Sequence, residues 1–196
     1  MAAKFLELLV TPSVAKAQKH YYGQSIQLPG GAKRDALTDD EAQFIQSRDS
    51  FYLSTVSESG WPYVQHRGGK PGFLHVVSPK QLAFADYKGN RQMLSTGNVA
   101  VNDRVCLFLM DYPQRTRLKI LGHARTEDVG QLPELVAQFA TPDVQRIVER
   151  VFFVDVVSFD WNCPKYITPR YTTAEVEEVV APLRARIAEL EAKTRL

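Results

Sequence analysis

"PYVQHRGGKPGFLHVVSPKQLAFADY", residues 62–87, contains three short segments rich in β-branched and aromatic residues, separated by glycine, proline and serine. This spacing is typical of antiparallel strands joined by tight turns. Four segments of the same character lie on either side: FYLSTV (51–56), RVCLFLMDY (104–112), RLKILGHART (117–126) and RVFFVDVVSF (150–159). The repetition predicts an antiparallel β-barrel as the main body of the protein.

Helices are predicted around this barrel. Thr38 and Glu41 form a capping-box pattern, which predicts a short helix ending near Ser47. Two longer helices are predicted over residues 91 to about 101 and 129 to about 150, the second with a break near residues 141–143. We expect both to cover the barrel. Residues 1–37 are predicted to form an N-terminal arm with one or two short helices, followed by the loop QLPGGAKRD.

The C-terminal segment, residues 171–196, is predicted to be a helix that follows a barrel domain spanning residues 38–170. Thr172 and Glu175 form a second capping box. Apolar residues then recur at alternating steps of four and three: Val176, Val180, Leu183, Ile187 and Leu190. Such a stripe fits a helix that packs on its own domain or an intermolecular coil; Pro182 and the small number of heptads favour the first.

Composition limits the kind of partner that this chain can bind. The 196 residues include 24 basic and 22 acidic side chains, a formal net charge of +2. A dedicated nucleic-acid-binding protein needs a broad surplus of Lys and Arg, so we expect no nucleic-acid partner. No stretch approaches the roughly 18 apolar residues of a membrane span, and no signal-peptide cleavage site is recognisable, which predicts a cytoplasmic protein without a membrane partner.

The cysteine and histidine residues predict neither a disulfide nor a metal site. Cys106 lies in an apolar run and Cys163 is isolated before Pro164, so we expect a reducing compartment. A lone histidine in a strand is more often a structural hydrogen-bonding group than a metal ligand. We assign no metal to the four histidines, His20, His66, His75 and His123.

The common catalytic signatures are absent from the sequence. It contains no Gly-x-Gly-x-x-Gly motif, no Gly-Lys-Ser/Thr phosphate loop, no His-Glu-x-x-His motif and no Gly-x-Ser-x-Gly elbow. These absences argue against a nucleotide hydrolase and a zinc hydrolase.

Arginines near strand ends instead indicate an anion site. Arg67, Arg91 and the pair Arg115 and Arg117 come from three separate segments, and a guanidinium fork suits bidentate contact with phosphate oxygens. In KGNRQ, residues 88–92, Arg91 lies where a helix is predicted to open, with Asn90 as its cap. A cation is unfavourable at a helix start unless an anion also binds there, so we expect a phosphate beside Arg91.

The segments PYVQHRGGKPGFL, FADYKGNRQ, LFLMDYPQRTRLKILGHA and DWNCPKYITPRY resemble, in this order, the FMN-binding split-barrel proteins related to pyridoxamine 5′-phosphate oxidase. The resemblance covers residues 40–170. It implies a mainly β (α+β) fold, a six-stranded antiparallel FMN-binding split barrel with peripheral helices and a C-terminal helix. It also implies a homodimer with FMN at the subunit interface.

The resemblance further implies a set of cofactor-binding residues. The strand from Tyr63 to Gly68 would lie beside the isoalloxazine, and Arg91 would hold the phosphate. Arg115 and Arg117 would reach the flavin from the partner subunit or the adjoining strand, and the segment from Trp161 to Lys165 would lie near the ring edge. The full set is Gln65, His66, Arg67, Gly68, Asp86, Asn90, Arg91, Gln92, Arg115, Arg117, Trp161 and Lys165.

The predicted function is that of an FMN-dependent oxidoreductase that passes hydride between the flavin and a small molecule or NAD(P)H. The chain departs from the classical pyridoxamine 5′-phosphate oxidases, which carry an arginine and histidine pair for their substrate after the last strand. At that point this chain instead enters a helical tail. No general acid or base is assigned, although His66 would be the candidate. The alternatives are a non-catalytic flavin- or haem-binding split barrel that senses its ligand, and an F420-dependent reductase.

Overall fold

The computed structural model describes residues 3–131, 133–161 and 164–194. In these residues seven strands form one antiparallel sheet in the order β2-β1-β5-β6-β7-β4-β3. The strands are β1 (Ser50–Val56), β2 (Pro62–Gly68), β3 (Leu74–Ser78), β4 (Gln81–Tyr87), β5 (Arg104–Asp111), β6 (Thr116–Asp128) and β7 (Val148–Trp161). The split-barrel architecture is therefore confirmed, but the prediction of six strands is wrong: the described sheet has seven strands and is not closed.

Six helices accompany the sheet in the described residues. They are α1 (Ala3–Leu9), α2 (Pro12–Tyr22), α3 (Asp39–Gln46), α4 (Leu94–Val101), α5 (Pro133–Phe139) and α6 (Thr173–Thr194). Helix α4 packs on β1 and β6, and α5 packs on β4 and β7. A hydrogen bond of 2.9 Å from Asn98 Nδ2 to Thr55 Oγ1 fixes α4 to the first strand.

The main core cluster draws buried residues from all the strands except the edge strand β2, and from α3 and α4. Alternating residues of β1, Phe51, Leu53 and Thr55, are buried, as expected for a strand with one face in the core. The ring of Phe84 stacks on that of Phe152 at a centroid distance of 5.0 Å and meets the edge of Phe51 at 5.2 Å. These aromatic rings join distant parts of the sheet order into a single core.

Two helix predictions need correction. The helix predicted from residue 91 begins at Leu94, because Arg91 and Met93 both adopt a left-handed backbone with φ of 59° that a continuous helix does not allow. The helix predicted over 129–150 is α5 flanked by 3₁₀ turns at Val129–Gln131 and Gln145–Ile147, and β7 begins already at Val148. Antiparallel pairing of β7 with β4, starting at Tyr87 opposite Val148, outweighs the local helical pattern.

Both predicted capping boxes are confirmed. At α3, Glu41 Oε2 accepts a hydrogen bond of 2.9 Å from the Thr38 backbone N–H. At α6, Glu175 Oε2 accepts one of 2.7 Å from Thr172 N–H, while Thr172 Oγ1 accepts one of 3.2 Å from Glu175 N–H. Reciprocal bonds of this kind satisfy donors that a helix start would otherwise leave unpaired.

The two ends of the chain differ in how they contact the sheet. Helix α1 packs on β7, and the centroid of its buried Phe5 ring lies 4.7 Å from Lys119 Nζ. Helix α6 has no buried residue among those described, so the expectation that it packs on its own domain is wrong for this chain taken alone. Among the described residues, every helix is too short or too polar to cross a membrane.

Candidate functional site

A cavity of about 230 Å³ opens between β2, the end of β4 and the start of α4. The loop of residues 88–93 forms one wall, and the beginning of β7 forms another. Six of the residues predicted to bind the cofactor line this cavity: Gln65, Arg67, Asp86, Asn90, Arg91 and Gln92.

Strand alternation explains which side chains of β2 reach the cavity. Tyr63, Gln65 and Arg67 are the partly buried positions of β2, whereas the residues between them are exposed. Gln65 is held in place by a hydrogen bond of 2.7 Å that its Oε1 accepts from Ser95 Oγ, in the first turn of α4. The edge strand and the helix start therefore form one polar surface.

Asp86 connects two arginines at the floor of the cavity. The β4–β7 ladder places Asp86 opposite Arg150, and Arg150 Nη1 lies 2.5 Å from Asp86 Oδ2. The other carboxylate oxygen of Asp86 accepts a hydrogen bond from Arg67 Nη1. All three side chains are at least 85% buried. Because β2 and β4 are separated by four strands in the sheet order, the pair formed by Arg67 and Asp86 bridges distant strands.

One polar atom of this cluster is left without a partner. Arg67 Nε is buried and has no hydrogen-bond acceptor among the described residues. The guanidinium group also lies over the rings of Phe152 and Phe84, at 5.3 and 5.7 Å. A buried donor without an acceptor is costly, and it indicates a place that a ligand can satisfy.

The rim of the cavity has two further charges. Arg91 Nη2 lies 3.4 Å from Glu149 Oε1, and Arg150 Nη2 lies 3.3 Å from Glu149 Oε2. The Arg91 side chain is 60% exposed, so this ion pair holds it only weakly. Counting the side chains that line the cavity, three arginines face two carboxylates, which leaves one net positive charge.

The loop before α4 departs from the prediction in one detail. Asn90 does not cap the helix: its Oδ1 accepts a hydrogen bond of 3.2 Å from Gln92 N–H, and Met93 occupies the N-cap position. The left-handed backbone at Arg91 and Met93 turns the chain so that Leu94, Ser95 and Thr96 line the cavity with the first turn of α4. The backbone N–H groups of a first turn have no acceptor within the helix and favour an anion.

The other six predicted residues lie outside the cavity. His66 is on the opposite face of β2, with its ring 5.6 Å from that of Tyr52, and Gly68 ends the strand. Arg115 is exposed in the turn between β5 and β6, and the Arg117 guanidinium lies 5.9 Å from the Phe108 ring. Lys165 is exposed beyond β7. The structure therefore brings together six of the twelve predicted residues and leaves the other six outside the charged cavity.

Trp161 has a clear structural contact. Its Nε1 donates a hydrogen bond of 2.6 Å to Glu41 Oε1, and its ring meets the edge of Phe44 at 4.8 Å. Burial acts to raise the pKa of Glu41, but the hydrogen bonds from Thr38 and Trp161 outweigh it and hold that pKa below the usual value. Trp161 thus joins the end of β7 to the start of α3.

A second cavity, of about 330 Å³, contains another of the predicted arginines. Arg117 lines it together with Tyr52, Tyr112 and the segment after β7, including Tyr166 and Arg170. The Arg170 guanidinium lies 5.1 Å from the Tyr112 ring. Arginine and tyrosine side chains therefore line this cavity together. Such a surface suits a planar anionic ligand.

A third, largely apolar cleft of about 420 Å³ shares Tyr87 with the charged cavity. Half-buried His75 lies in it with its ring 5.2 Å from that of Phe139, and burial lowers its pKa. An exposed ion pair of 2.9 Å between Lys70 and Asp143 stands beside the cleft. Hydrogen bonds from Thr141, which has the larger effect, and from Lys70 lower the pKa of Asp143 to about 2.

Sequence reasoning missed several residues of the charged cavity. Tyr63 could have been found, because it is two residues before Gln65 on the same strand face. Glu149 was assigned to the end of a helix and Arg150 to the junction of that helix with the last strand, so their position beside β4 was not predicted. Ser95 gave no signal, since a serine in the first turn of a helix is common. No group of His, Cys, Asp and Glu suited to a metal ion occurs in the described residues, and Cys163 lies outside them.

The comparison with protein families identifies the fold family. The model of the pyridoxamine 5′-phosphate oxidase family matches residues 37–160, which is more than half of the chain. The chain therefore belongs to this family, as the sequence motifs predicted. No curated protein sequence matches it.

The comparison with solved structures gives matches of low sequence identity. A HupZ variant from Group A Streptococcus is 11% identical, with a TM-score of 0.50 over 64% of this chain and 98% of that one. General Stress Protein 26 from Bacillus anthracis is 15% identical, with a TM-score of 0.46 over 61% and 88% of the chains. An FMN-binding protein from Syntrophomonas wolfei is 8% identical, with a TM-score of 0.45 over 63% and 85%.

Proposed function

We propose that this protein binds FMN with its phosphate in the charged cavity and acts as an oxidoreductase. The observation that carries the proposal is the combination of a net positive cavity, a helix start and the unpartnered Nε of buried Arg67. These groups fit a phosphate-bearing ligand, because each of them favours a negative charge. Family membership supports a flavin over other phosphorylated ligands.

Arg91 is the residue best suited to hold the phosphate. Arg67 and Arg150 are already engaged by the Asp86 carboxylate, whereas Arg91 is exposed and only weakly paired. The N–H groups of the first turn of α4 would add donors beside it, and Gln65 offers an amide to the polar edge of the ring. FMN, when bound, supplies the hydride acceptor and donor chemistry. The protein positions it and balances its charge.

We further propose that the functional unit is a homodimer. The cavity of about 230 Å³ is smaller than the roughly 300–1,000 Å³ of most ligand pockets, so one chain covers only part of a flavin. Two of the other predicted residues, His66 and Arg117, both lie beside Tyr52, outside the charged cavity. A two-fold interface would bring these residues of one copy to the charged cavity of the other and create two equal sites.

The direct test is to identify the chromophore of the purified protein. We expect a yellow protein that releases FMN on denaturation, and a mass by light scattering of twice 22.1 kDa. Anaerobic addition of NAD(P)H should bleach the flavin absorption. A protein that binds FMN but is not reduced would instead be a flavin-binding sensor. The absorption spectrum of haem would indicate a haem-binding protein, and that of F420 an F420-dependent reductase. A protein that stays colourless after incubation with FMN would refute the proposal.

Glu149 gives a prediction of increased affinity. Its carboxylate competes with an anionic ligand for Arg91 and repels a phosphate, so Glu149→Gln should tighten FMN binding by about fivefold, equivalent to roughly 1 kcal/mol. Fluorescence titration of the apoprotein with FMN measures the change. Glu127→Gln is the matched control, because Glu127 forms an ion pair of the same 3.4 Å length with Arg125 outside the cavity. Equal or weaker FMN binding by the Glu149 variant would contradict this role.

A further inference from the structure

Helix α6 carries an apolar stripe formed by Val176, Val180, Leu183, Ile187 and Leu190, of which all but the partly buried Val180 are exposed. Leu183 is 58% exposed, Ile187 is 55% exposed and Leu190 is 46% exposed. Helix α6 makes at most marginal contacts with the other described helices and strands. A stripe of this length on one helix face indicates a missing partner surface.

The helix also contains a feature that weakens it in isolation. Pro182 lies in its interior, where it removes one backbone hydrogen bond. Helices in proteins take most of their stability from packing an apolar face. The salt bridges of α6, such as Arg184 with Glu177 at 2.9 Å, are exposed and contribute little. The helix therefore needs a partner along its stripe.

The spacing of the stripe defines a heptad register. Steps of four and three place Val180 and Ile187 at the a positions, and Val176, Leu183 and Leu190 at the d positions. In parallel coiled coils, β-branched residues at a with leucine at d, here at two of the three d positions, favour two strands. Pro182 falls at a c position, away from the seam. We propose that α6 pairs with α6 of a second copy of this chain in a parallel coiled coil.

The charges beside the seam select the parallel orientation. In a parallel pair, a g residue of one helix faces the e residue five positions later in the other, so Arg186 faces Glu191 on both sides of the coil. In an antiparallel pair over the same core, e faces e and g faces g. Arg186 would then face Arg186, and Glu177 would face Glu191. The like charges disfavour that arrangement.

This interface is separate from the proposed flavin site. The coil uses residues 176–191 alone, whereas the charged cavity lies between β2, β4 and α4. Each can therefore fail without the other. A dimer built from the barrels alone would leave the stripe exposed, and a coil would link two copies even in a protein that binds no flavin.

The test is disulfide cross-linking of the full chain, in a background with Cys106→Ser and Cys163→Ser. Leu190→Cys places a thiol at a d position, and the matched control Ala192→Cys places one two residues away, at an f position on the outer face. Two d-position thiols of a parallel coil lie within disulfide range, so we expect the Leu190 variant to form disulfide-linked dimers at least about tenfold faster under the same mild oxidant. The FMN content of both variants should equal that of the unsubstituted protein.

A charge exchange tests the orientation independently. Arg186→Glu in the Leu190→Cys chain should slow cross-linking, and adding Glu191→Arg should restore the rate, because the attractive pair is rebuilt with its signs reversed. Equal cross-linking at positions 190 and 192 would overturn the proposal. So would faster pairing between Val180→Cys and Leu190→Cys chains in a mixture, since that result indicates antiparallel helices or packing on another surface.

Discussion

Replacing Asp86 with asparagine is expected to lower the free energy of unfolding by about 3–5 kcal/mol, the usual cost of removing one partner from a buried ion pair. The substitution keeps the shape of the side chain but removes its charge. Arg67 and Arg150 would then face each other as two buried cations with no carboxylate between them. Urea denaturation of the apoprotein at neutral pH, followed by tryptophan fluorescence, measures the loss.

The matched control is Asp143→Asn. Asp143 also pairs with a basic side chain, Lys70, but both side chains of that pair are more than half exposed. Exposed ion pairs contribute little to stability, so the control should unfold at nearly the same urea concentration as the unsubstituted protein. Equal stability of the two variants would show that Asp86 does not stabilise the fold by neutralising Arg67 and Arg150.

Arg91→Ala is expected to weaken FMN binding by about 10- to 100-fold, since a hydrogen bond to a charged group contributes roughly 1.5–3 kcal/mol. The stability of the apoprotein should change little, because the Arg91 side chain is 60% exposed. Riboflavin, which lacks the phosphate, should bind the variant and the unsubstituted protein almost equally. Titration of the two apoproteins with FMN and riboflavin separates an effect on the phosphate from an effect on the ring.

Two further variants sharpen this test. Arg91→Lys should recover only part of the affinity, because an ammonium group lacks the planar fork of the guanidinium. Arg146→Ala is the control for loss of an exposed arginine, since Arg146 lies in the 3₁₀ turn before β7 and does not line the cavity. Unchanged FMN affinity in Arg91→Ala would place the phosphate elsewhere, with Arg67 and Arg117 as the next candidates.

The strands could be predicted from sequence because a strand with one buried face alternates apolar and polar residues. The same alternation was sufficient to separate Gln65 and Arg67 from His66, which lies between them and faces the other side of the sheet. The resemblance places all three residues near the flavin, and the alternation adds that His66 faces away from the charged cavity of its own chain. The charged ends of β2 and β4 could be recognised because turn residues follow them directly.

Other parts of the site depend on contacts that are distant in sequence. Arg150 becomes a site residue only through its register opposite Asp86, 64 positions earlier in the chain. The residue at which α4 begins depends on the left-handed backbone of Arg91 and Met93. Neither arginine nor methionine favours that conformation, so it could not be predicted from the residue types. The family resemblance supplied the architecture, but its strand count did not transfer to this chain.

The contact between Arg67 and Asp86 spans the gap between strands that no backbone ladder joins in the described sheet. Arg67 also lines the charged cavity, and its buried Nε has no acceptor among the described residues. A ligand that contacted Arg67 would therefore act on the same side chain that bridges β2 and β4. Binding and this bridge would then be thermodynamically linked, because the free energy that the ligand adds to the bridged form also opposes separation of the two strands. Occupancy of the cavity would thus be measurable as added strength of a contact between two strands that are not neighbours in the sheet.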